Sequence, residues 1–276
     1  MKTGAVVVGD VMTDILVRLG GPIRRGTDQE AEIVALPGGG GANQAAWLAA
    51  CGVPVRLAAR VGATDRASIA GALIAAGVIP HLIADPEAPT GALVCLVEPD
   101  GERSFLSSRG ANARLSPDDL PQNLLNGADL LHISGYALLT PQSRAGAMRL
   151  MAEARARGLL VSVDPGSAGF LADLGPDVFL EAACDADAVF PNRDEAELLT
   201  GTIDPNAQLD ALLDRFSMVV LKQGAAGAVA AMRGGARVAR PALAVDVVDT
   251  TGAGDAFFAG FMASWLGARD PGAALD

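Results

Sequence analysis

The residues best suited to chemistry in this sequence lie in Asp249-Thr-Thr-Gly-Ala-Gly-Asp255, which leads directly into a long apolar segment. The pattern predicts an apolar strand, Leu243 to Val248, then a glycine-interrupted turn and a helix that begins at or just before Asp255. The first turn of a helix has N–H groups without internal partners and a partial positive charge. Because Gly252 and Gly254 have no side chains, an anionic oxygen can approach the bare amides.

A carboxylate beside an anion-binding turn suits one kind of reaction in particular. The amides of this turn can hold charge that develops on a phosphoryl group, while Asp255 takes a proton from an attacking hydroxyl. The alternative is that Thr250, Thr251 and Asp255 only cap the helix, and that the glycines only permit a tight turn. The rest of the sequence favours the first interpretation.

A second glycine-rich turn, Gly38-Gly-Gly-Gly-Ala-Asn43, precedes a predicted helix from Ala42 to Ala50. Consecutive glycines cost conformational entropy and are tolerated where a ligand must touch the backbone. Asn43 offers both a donor and an acceptor, which sugar hydroxyls require. The alternative is an ordinary flexible loop before a helix.

Two carboxylates, Asp10 and Asp14, follow the first predicted strand, Ala5 to Val8. In a doubly wound sheet, ligands bind beyond the carboxyl ends of the strands. The two side chains could therefore accept hydrogen bonds from a polyol. Taken alone, they could equally be a pair of surface acids.

The segment Asn192-Arg-Asp-Glu195 begins another predicted helix and resembles a capping box. Its functional interpretation places Asn192 and Glu195 near nucleotide phosphates, where they hold Mg²⁺ through water, as Mg²⁺ prefers. Both interpretations can hold for the same residues.

Two further segments contain a basic residue, Lys222 or Arg109, that could contact a ligand. Lys222-Gln-Gly-Ala-Ala-Gly227 ends a predicted strand and either borders a nucleotide or makes a hairpin turn into Ala228 to Met232. Arg109 follows a predicted strand and is either a clamp on the substrate or phosphoryl group, or a solvated side chain.

Composition limits the classes of partner. The 276-residue chain is 50% hydrophobic but only 4% aromatic, and its formal net charge is −11 without a cluster of basic residues. Nucleic acid and anionic membrane surfaces are therefore poor candidates as partners. Cys51, Cys95 and Cys184 lie in apolar stretches and are expected to be small buried hydrophobic residues of a reducing compartment. With no signal peptide or membrane span in view, we expect a cytoplasmic protein.

The alternation of strands with helices predicts an α/β fold with three layers, in which helices flank a mostly parallel central sheet. Two pairs of alternating strands, near 15–36 and 91–107, do not fit that sheet and predict a small β-sheet lid. We therefore expect one domain over residues 1–276, with lid segments inserted at about 12–36 and 89–110.

The sequence lacks the residues that several other enzyme classes require. His132 lies in an apolar strand and is expected to be a hydrogen-bonded core residue, so no Ser-His-Asp, Cys-His or zinc arrangement can be assembled. A dinucleotide-dependent oxidoreductase needs Gly-x-Gly-x-x-Gly after the first strand, and Gly9-Asp10-Val-Met does not supply it.

In their order along the chain, the motifs at 9–14, 38–43, 192–195 and 249–255 resemble the ribokinase-like (PfkB) carbohydrate kinase family, to about residue 266. The resemblance implies that Asp255 is the base toward a sugar hydroxyl and that Gly252, Ala253 and Gly254 form the anion hole for the γ-phosphate of ATP. It implies sugar contacts from Asp10, Asp14, Gly39, Gly40, Gly41, Asn43 and Arg109. It also implies ATP contacts from Asn192, Lys222, Gly224, Gly227 and Thr251, with Mg²⁺ near Asn192 and Glu195. The resemblance implies a Rossmann-like α/β fold with a β-sheet lid, and in the family this lid often forms a dimer interface.

Two departures bear on the substrate. Ribokinases resemble Gly-Gly-Lys-Gly-Ala-Asn in the second motif, whereas this chain has Gly40 at the lysine position, and their substrate-binding glutamate falls where this chain reads Leu131-His-Ile-Ser-Gly135. Fructose, another furanose, a keto-deoxy sugar acid and a nucleoside therefore stay open beside ribose.

Family members continue beyond the Asp255 helix with segments that line the adenine site and complete a monovalent-cation site, whereas this sequence ends at Asp276. We therefore expect either a shortened chain or an unusually open adenine pocket. Near Asp249 and Thr251 we expect only half of a K⁺ site. Two alternatives to a sugar kinase remain: a nucleoside (adenosine-type) kinase, and a shortened relative that binds sugar or nucleotide without turnover.

Overall fold

The structure, a computed structural model, describes residues 4–116, 119–246 and 250–276. The strands are β1 Ala5–Val8, β2 Met12–Leu19, β3 Ala31–Gly38, β4 Val55–Gly62, β5 Val78–Asp85, β6 Gly91–Val97, β7 Arg103–Ser108, β8 Leu130–Ser134, β9 Leu160–Asp164, β10 Ala188–Val189, β11 Met218–Lys222, β12 Ala228–Met232 and β13 Arg237–Arg240. The helices are α1 Gly40–Ala50, α2 Arg66–Ala75, α3 Pro141–Ala156, α4 Ala168–Leu174, α5 Pro176–Ala182, α6 Arg193–Thr200, α7 Pro205–Leu213, α8 Ala253–Ala268 and α9 Pro271–Leu275.

The larger sheet has nine strands in the order β13-β12-β11-β10-β9-β8-β1-β4-β5. All neighbouring strands from β11 to β5 pair in parallel, and only β12 and β13 run antiparallel at one edge. The mostly parallel central sheet is thereby confirmed. The carboxyl ends of β1, β8, β9 and β11 meet at one edge of the sheet, which is where such folds bind ligands.

Two hydrophobic cores lie on opposite faces of this sheet, because successive strand residues point to opposite sides. Val6 and Val8 belong to a core that receives α3 to α7, whereas Ala5 and Val7 belong to a core that receives α1, α2, α8 and α9. The central strands are apolar on both faces, which explains why they are continuous apolar runs in the sequence. The result is the three-layer arrangement expected from the alternation of strands and helices.

The smaller sheet consists of β3, β2, β6 and β7 in that order. Its strands are the two pairs that the sequence separates from the central sheet, and β6 and β7 form the predicted hairpin, with the Glu98 amide donating to the Glu102 carbonyl. The β2–β3 pairing brings Asp14 opposite Leu36, and the β2–β6 pairing brings Asp14 opposite Leu93. Residues that pair across neighbouring strands lie on the same face of a sheet, so Asp14, Leu36 and Leu93 share one face of the small sheet.

Two sequence expectations are wrong. Residues 243–246, expected to begin a strand, have no regular structure, and the side chains of Leu243 and Val245 are 87% and 72% exposed. β13 ends before Pro241, which lacks an N–H to donate to a ladder, and no described strand pairs with the following residues. Residues 247 and 248 lie outside the described ranges.

The second wrong expectation is that all three cysteines are buried. Cys51 and Cys184 are exposed because they follow the last residues of α1 and α5, and only Cys95 is buried.

Within the described ranges, the helices are too short or too polar to cross a bilayer.

Candidate active site

A cavity of about 330 Å³ opens at the carboxyl edge of the large sheet, beneath the small sheet. Its lining brings together most of the residues that the sequence singles out, from six separate segments of the chain: Asp10, Asp14, Gly39, Gly40, Asn43, Arg109, Asn192, Glu195, Lys222, Thr251, Gly252, Gly254 and Asp255. The residues are far apart in sequence and meet because β1, β9, β10 and β11 all end at this edge. The cavity is therefore the candidate active site.

Asp255 lies in the first turn of α8, the apolar helix whose buried Phe258 and Met262 pack against the sheet. The Nδ2 group of Asn43 donates a hydrogen bond of 3.2 Å to its Oδ2 atom. Burial raises the pKa of Asp255 to about 7, and the charges of Asp164 and Asp10 add to this, whereas Asn43 and Lys222 oppose it. A carboxylate with a pKa near neutrality can exchange a proton with a substrate hydroxyl at physiological pH.

The backbone amides of the turn before α8 differ in whether they already have a hydrogen-bond acceptor. Gly252 adopts a left-handed conformation with φ of 74°, which glycine accepts readily. The Ala253 amide, which the sequence also suggested for the anion, donates to the Thr250 carbonyl at 3.1 Å in this structure. The described residues give the amides of Gly252 and Gly254 no acceptor. These two amides are therefore the ones available to a phosphoryl oxygen.

Asp10 and Asp14 have different surroundings. The Asp10 carboxylate accepts hydrogen bonds of 3.1 Å from both the Gly40 and Gly41 amides and one of 3.3 Å from the Ser134 hydroxyl. It therefore fixes the amino end of α1, where an anion is favoured by the helix dipole. Asp10 holds the pocket together, and its oxygens are already occupied by protein donors.

Asp14, in contrast, has an unsatisfied oxygen. Its Oδ1 atom is buried and accepts no hydrogen bond within the described part of the chain. Burial raises the pKa of Asp14 to about 6, with a further contribution from the charge of Asp10. A buried acceptor without a donor is costly unless a ligand supplies one. Its position in the cavity makes Asp14 the main candidate to receive a substrate hydroxyl.

Lys222 ends β11, and its ammonium group makes a 2.9 Å ion pair with Asp164, which ends β9. Burial lowers the pKa of Lys222, but Asp164 and Glu195 raise it by more, so its pKa lies above the ordinary value. Asp164 was missed in the sequence analysis because Asp164-Pro165-Gly166 looks like a turn after a strand. The only available signal was its place at the end of a central strand.

Asn192 and Glu195 form the complete capping box of α6, with reciprocal hydrogen bonds of 2.8 and 2.9 Å. Glu195 uses Oε2 in that bond, and its Oε1 atom has no hydrogen-bond partner among the described residues. Burial raises the pKa of Glu195, as does the charge of Asp164. The described residues contain no group of three His, Cys, Asp or Glu side chains that could enclose a metal ion. The pair thus fits Mg²⁺ held through water and phosphate oxygens, which is how Mg²⁺ commonly binds.

Arg109 follows β7, and its Nη2 group donates to the Tyr136 carbonyl at 2.6 Å. The ring of Tyr136 lies between two glycines: a Cβ atom on Gly40 would be 3.4 Å from the ring, and one on Gly166 would be 3.1 Å from it. The glycine at position 40, where ribokinases have lysine, thus lies against the Tyr136 ring.

Several predicted residues lie outside the cavity lining. Gly41 is buried against Gly9, where a side chain would collide with the backbone, so its contribution is to the close packing of α1 on β1. Gly224 and Gly227 form the turn between β11 and β12, which confirms the hairpin interpretation of that segment. Asp249 lies outside the described residues.

Two further contributors, besides Asp164, were not expected from the sequence. Arg103, the first residue of β7, donates a 3.0 Å hydrogen bond from Nη1 to the Thr251 hydroxyl, so the tip of the small sheet reaches the turn before α8. Phe170 of α4 lines the cavity and meets the Tyr136 ring edge-on, at 5.8 Å between ring centroids. Neither could be found from local pattern, because each acts on a residue far away in sequence.

His132 is a core residue, as expected. Its two ring nitrogens bond to the Ser162 hydroxyl at 2.9 Å and to the Gln44 side-chain oxygen at 3.0 Å. Burial lowers the pKa of His132 to about 3, so the ring is neutral. Through Gln44 it contacts α1, and it does not line the cavity.

Comparison with known proteins agrees with this geometry. Residues 2–275 match the sequence model described as pfkB family carbohydrate kinase. The chain is 36% identical, over 87% of its length and 76% of the relative, to an ATP-dependent ribose-1-phosphate kinase of Halopiger xanaduensis. It is 31% identical to a fructokinase of Klebsiella pneumoniae, over 93% of this chain and 82% of that one. A structure of Arabidopsis thaliana ribokinase complexed with ribose and ATP superposes with a TM-score of 0.84 at 26% identity, covering 100% of this chain and 89% of that one.

Proposed function

The chain belongs to the pfkB family of carbohydrate kinases, and we propose that it transfers the γ-phosphoryl group of ATP to a hydroxyl of a small sugar, with Asp255 as the base. The observation that carries this proposal is the position of Asp255. It is a half-buried carboxylate with a pKa near 7, it lies next to two amides that have no acceptor among the described residues, and the cavity it faces also contains Asp14.

The sugar side of the cavity is built to hold and orient a polyol. Asp14 offers an unsatisfied oxygen, and Asn43 lies between the sugar side and the base. Gly39, Gly40 and Arg109 also line the sugar side of the cavity. A hydroxyl held by Asp14 and Asn43 beside Asp255 loses its proton to that carboxylate as its oxygen attacks phosphorus.

The phosphoryl side uses backbone amides and one cation. The amides of Gly252 and Gly254 receive the oxygens of the phosphoryl group, and the Lys222 ammonium lies beside them. Such donors act on charge that develops in the transition state without having to reorganise. ATP, bordered by Thr251 and the turn that contains Gly224 and Gly227, supplies the phosphoryl group.

Mg²⁺ neutralises phosphate charge when bound, and Asn192 and Glu195 are the residues that would hold it through water. The only K⁺ contacts that we propose are backbone groups of Thr251 and Asp249. These metal assignments rest on the family resemblance and on the uncommitted Oε1 atom of Glu195.

The small sheet acts as a lid over the sugar. One of its faces contributes Asp14, Leu93 and Ser107 to the cavity, and its tip bonds through Arg103 to Thr251. The whole chain then forms one kinase domain, with lid segments at about 12–36 and 89–110. Closure excludes water, which limits wasteful hydrolysis of ATP.

The other face of the lid sheet, here named the outer face, is mostly apolar. Cross-strand pairing places on it ten aliphatic residues and four others: Ile15, Val17, Leu19, Ala31, Ile33, Ala35, Ala92, Val94, Leu96 and Leu106, with Thr13, Pro37, Ser104 and Ser108. Ile33 and Leu106 are 65% and 61% exposed. A contiguous exposed apolar sheet face of this kind usually marks an interface, so the proposed occupant is the lid of a second copy in a homodimer.

The proposed sugar is a ribose- or fructose-type furanose, in line with the names of the relatives, or a keto-deoxy sugar acid. A specific observation also favours a second candidate, a nucleoside. A neighbouring cavity of about 780 Å³ shares Tyr136 and Phe170 with the first and adds Phe105 of the lid. Three aromatic rings give a planar base a surface on which to stack.

ADP release in the presence of MgATP tests the proposal across ribose, ribose 1-phosphate, fructose, 2-keto-3-deoxygluconate and adenosine, with and without K⁺. Turnover of one sugar well above the ATP-only background supports the proposal. Turnover of adenosine alone selects the nucleoside alternative. No turnover on any acceptor, with MgATP still raising the melting temperature, contradicts the kinase assignment and favours a relative that only binds its ligands.

A further inference from the structure

The Lys222 ammonium group is fixed against the anion-binding turn. Its Nζ atom lies 2.9 Å from the Asp164 Oδ2 atom, and the two side chains are only 15% and 8% exposed. A Cβ atom built on Gly254 would be 3.4 Å from Nζ, so the cation touches the first turn of α8. A lysine side chain has four rotatable methylene groups and keeps one position only if a partner holds it.

Asp164 is that partner, and both of its oxygens are engaged. Oδ1 accepts a 2.8 Å hydrogen bond from the Gly166 amide, while Oδ2 accepts the bond from Lys222. A buried carboxylate is costly unless it is paired and hydrogen-bonded. Asp164 meets both conditions, but no step of the proposed reaction uses it as base or as sugar ligand.

The other carboxylates near Lys222 explain why its position must be controlled. Glu195 and Asp255 both interact with the Lys222 charge, and Asp255 is also faced by Asp10, Asn43 and Tyr136. If Lys222 turned toward Asp255, the ammonium would pair with the base and leave the amides of Gly252 and Gly254 without a cation. The ion pair with Asp164 prevents that rearrangement.

We propose that Asp164 is a positioning residue for phosphoryl transfer, which holds the Lys222 ammonium against Gly254, where this cation meets the oxygens of the transferred group. This inference rests on the proposed function, because it takes the turn before α8 as the γ-phosphate site. Lys222 acts on the phosphoryl group, and Asp164 acts only through Lys222. Removal of either residue therefore removes the same stabilisation of the transition state.

A double-mutant cycle tests this dependence. Asp164→Asn keeps an oxygen for the Gly166 amide but loses the charge, and Lys222→Met removes the cation while keeping most of the side-chain volume. The matched control is Asp187→Asn, because Asp187 also accepts a 2.9 Å bond from a backbone amide, that of Val161, but lies at the opposite end of β9. Melting temperatures of all variants establish that they are folded.

The expected result is a loss of kcat of about tenfold or more in Asp164→Asn, with the KM for the sugar changed by less than about threefold. The double variant is then no worse than Lys222→Met within about twofold, because coupled residues are not additive. Asp164→Glu, which keeps the charge, recovers part of kcat. A structural role alone would lower the melting temperature without this pattern.

Losses that multiply in the double variant, or an Asp164→Asn variant as active as Asp187→Asn, would overturn the inference while the kinase assignment stands. If the wild-type protein has no turnover, the kinase assignment fails first. MgATP titration of the same proteins then decides the inference separately. Equal loss of affinity in Asp164→Asn, Lys222→Met and the double variant supports it, and independent losses refute it.

Discussion

The side-chain amide of Asn43 donates a hydrogen bond of 3.2 Å to the carboxylate of Asp255, across 212 residues of sequence. Asn43 lies in the first turn of α1 and Asp255 in the first turn of α8. Both helices lie on the same face of the large sheet, so their amino ends meet at the cavity. The bond joins the sugar-binding turn to the base, which makes the orientation of the base depend on the packing of two helices.

The first prediction concerns this hydrogen bond. The Asn43 amide lowers the pKa of Asp255, so Asn43→Ala should raise it further. A base must be deprotonated to act, so the rise of kcat/KM with pH should move to higher pH, and activity at pH 7 should fall by about tenfold. pH–rate profiles of the two proteins check this, with Asn206→Ala, an exposed asparagine on α7, as the control. A shift to lower pH would contradict the assignment of Asp255 as the base.

The second prediction concerns stability and pH. The pKa of Asp255 rises from 3.8 to about 7 on folding, so the folded state holds this proton more tightly than the unfolded state does. The carboxyl therefore destabilises the unliganded protein increasingly as pH rises from 3.8 to about 7, and fully above that. Asp255→Asn removes the charge, so its melting temperature should exceed that of wild type at pH 8 and approach it at pH 5. Equal differences at the two pH values would show that the carboxyl is not perturbed.

The third prediction concerns the sugar pocket. A Cβ atom on Gly38 would overlap the Asp14 carboxylate, which can rotate away because it is the end of a side chain. Gly38→Ala should therefore fold, displace Asp14 and raise the KM for the sugar by about tenfold, as expected for the loss of a hydrogen bond to a buried acceptor. The KM for ATP should change little. Steady-state kinetics check this against Gly71→Ala in α2, where a Cβ atom meets nothing within 4 Å and no kinetic change is expected. Equal effects on both Michaelis constants would contradict the assignment of Asp14 to the sugar.

The fourth prediction concerns assembly. Ile33→Asp places a charge on the apolar outer face of the lid and should convert a dimer to a monomer, because a buried unpaired charge is costly in an interface. Ile203→Asp is the matched control, since Ile203 is 71% exposed but lies outside the lid sheet, between α6 and α7. Sedimentation velocity over a range of concentrations distinguishes the species. A wild-type protein that stays monomeric at high concentration would contradict the proposed dimer.

The central strands and the site motifs were accessible from sequence because their signals are local. The apolar runs at Ala5–Val8 and Met218–Lys222 predict strands, and the glycine-rich turn predicts the start of the helix that carries Asp255. Leu243 and Val245 were misread because apolar residues predict burial only on average, and these two are exposed. β5 was missed because Pro80 and His81 interrupt its apolar pattern.

Contacts made over long sequence distances could not be predicted. Asp164 acts through Lys222, 58 residues away, and Arg103 through Thr251, 148 residues away. Sequence pattern placed each residue in an element but gave no register between elements, so the pairings had to come from the structure. The distinction between Asp10, whose oxygens are used by backbone amides, and Asp14, which keeps an unsatisfied oxygen, arose in the same way.

The most direct test of the account is the kcat of Asp255→Asn on the sugar that the acceptor panel identifies, measured together with the dissociation constants of that sugar and of MgATP. We expect kcat to fall by about a hundredfold to ten-thousandfold, the usual contribution of a general base, with both dissociation constants changed by less than about fivefold. A variant that binds both ligands and retains kcat within a few-fold of wild type would contradict the role of Asp255 as the base.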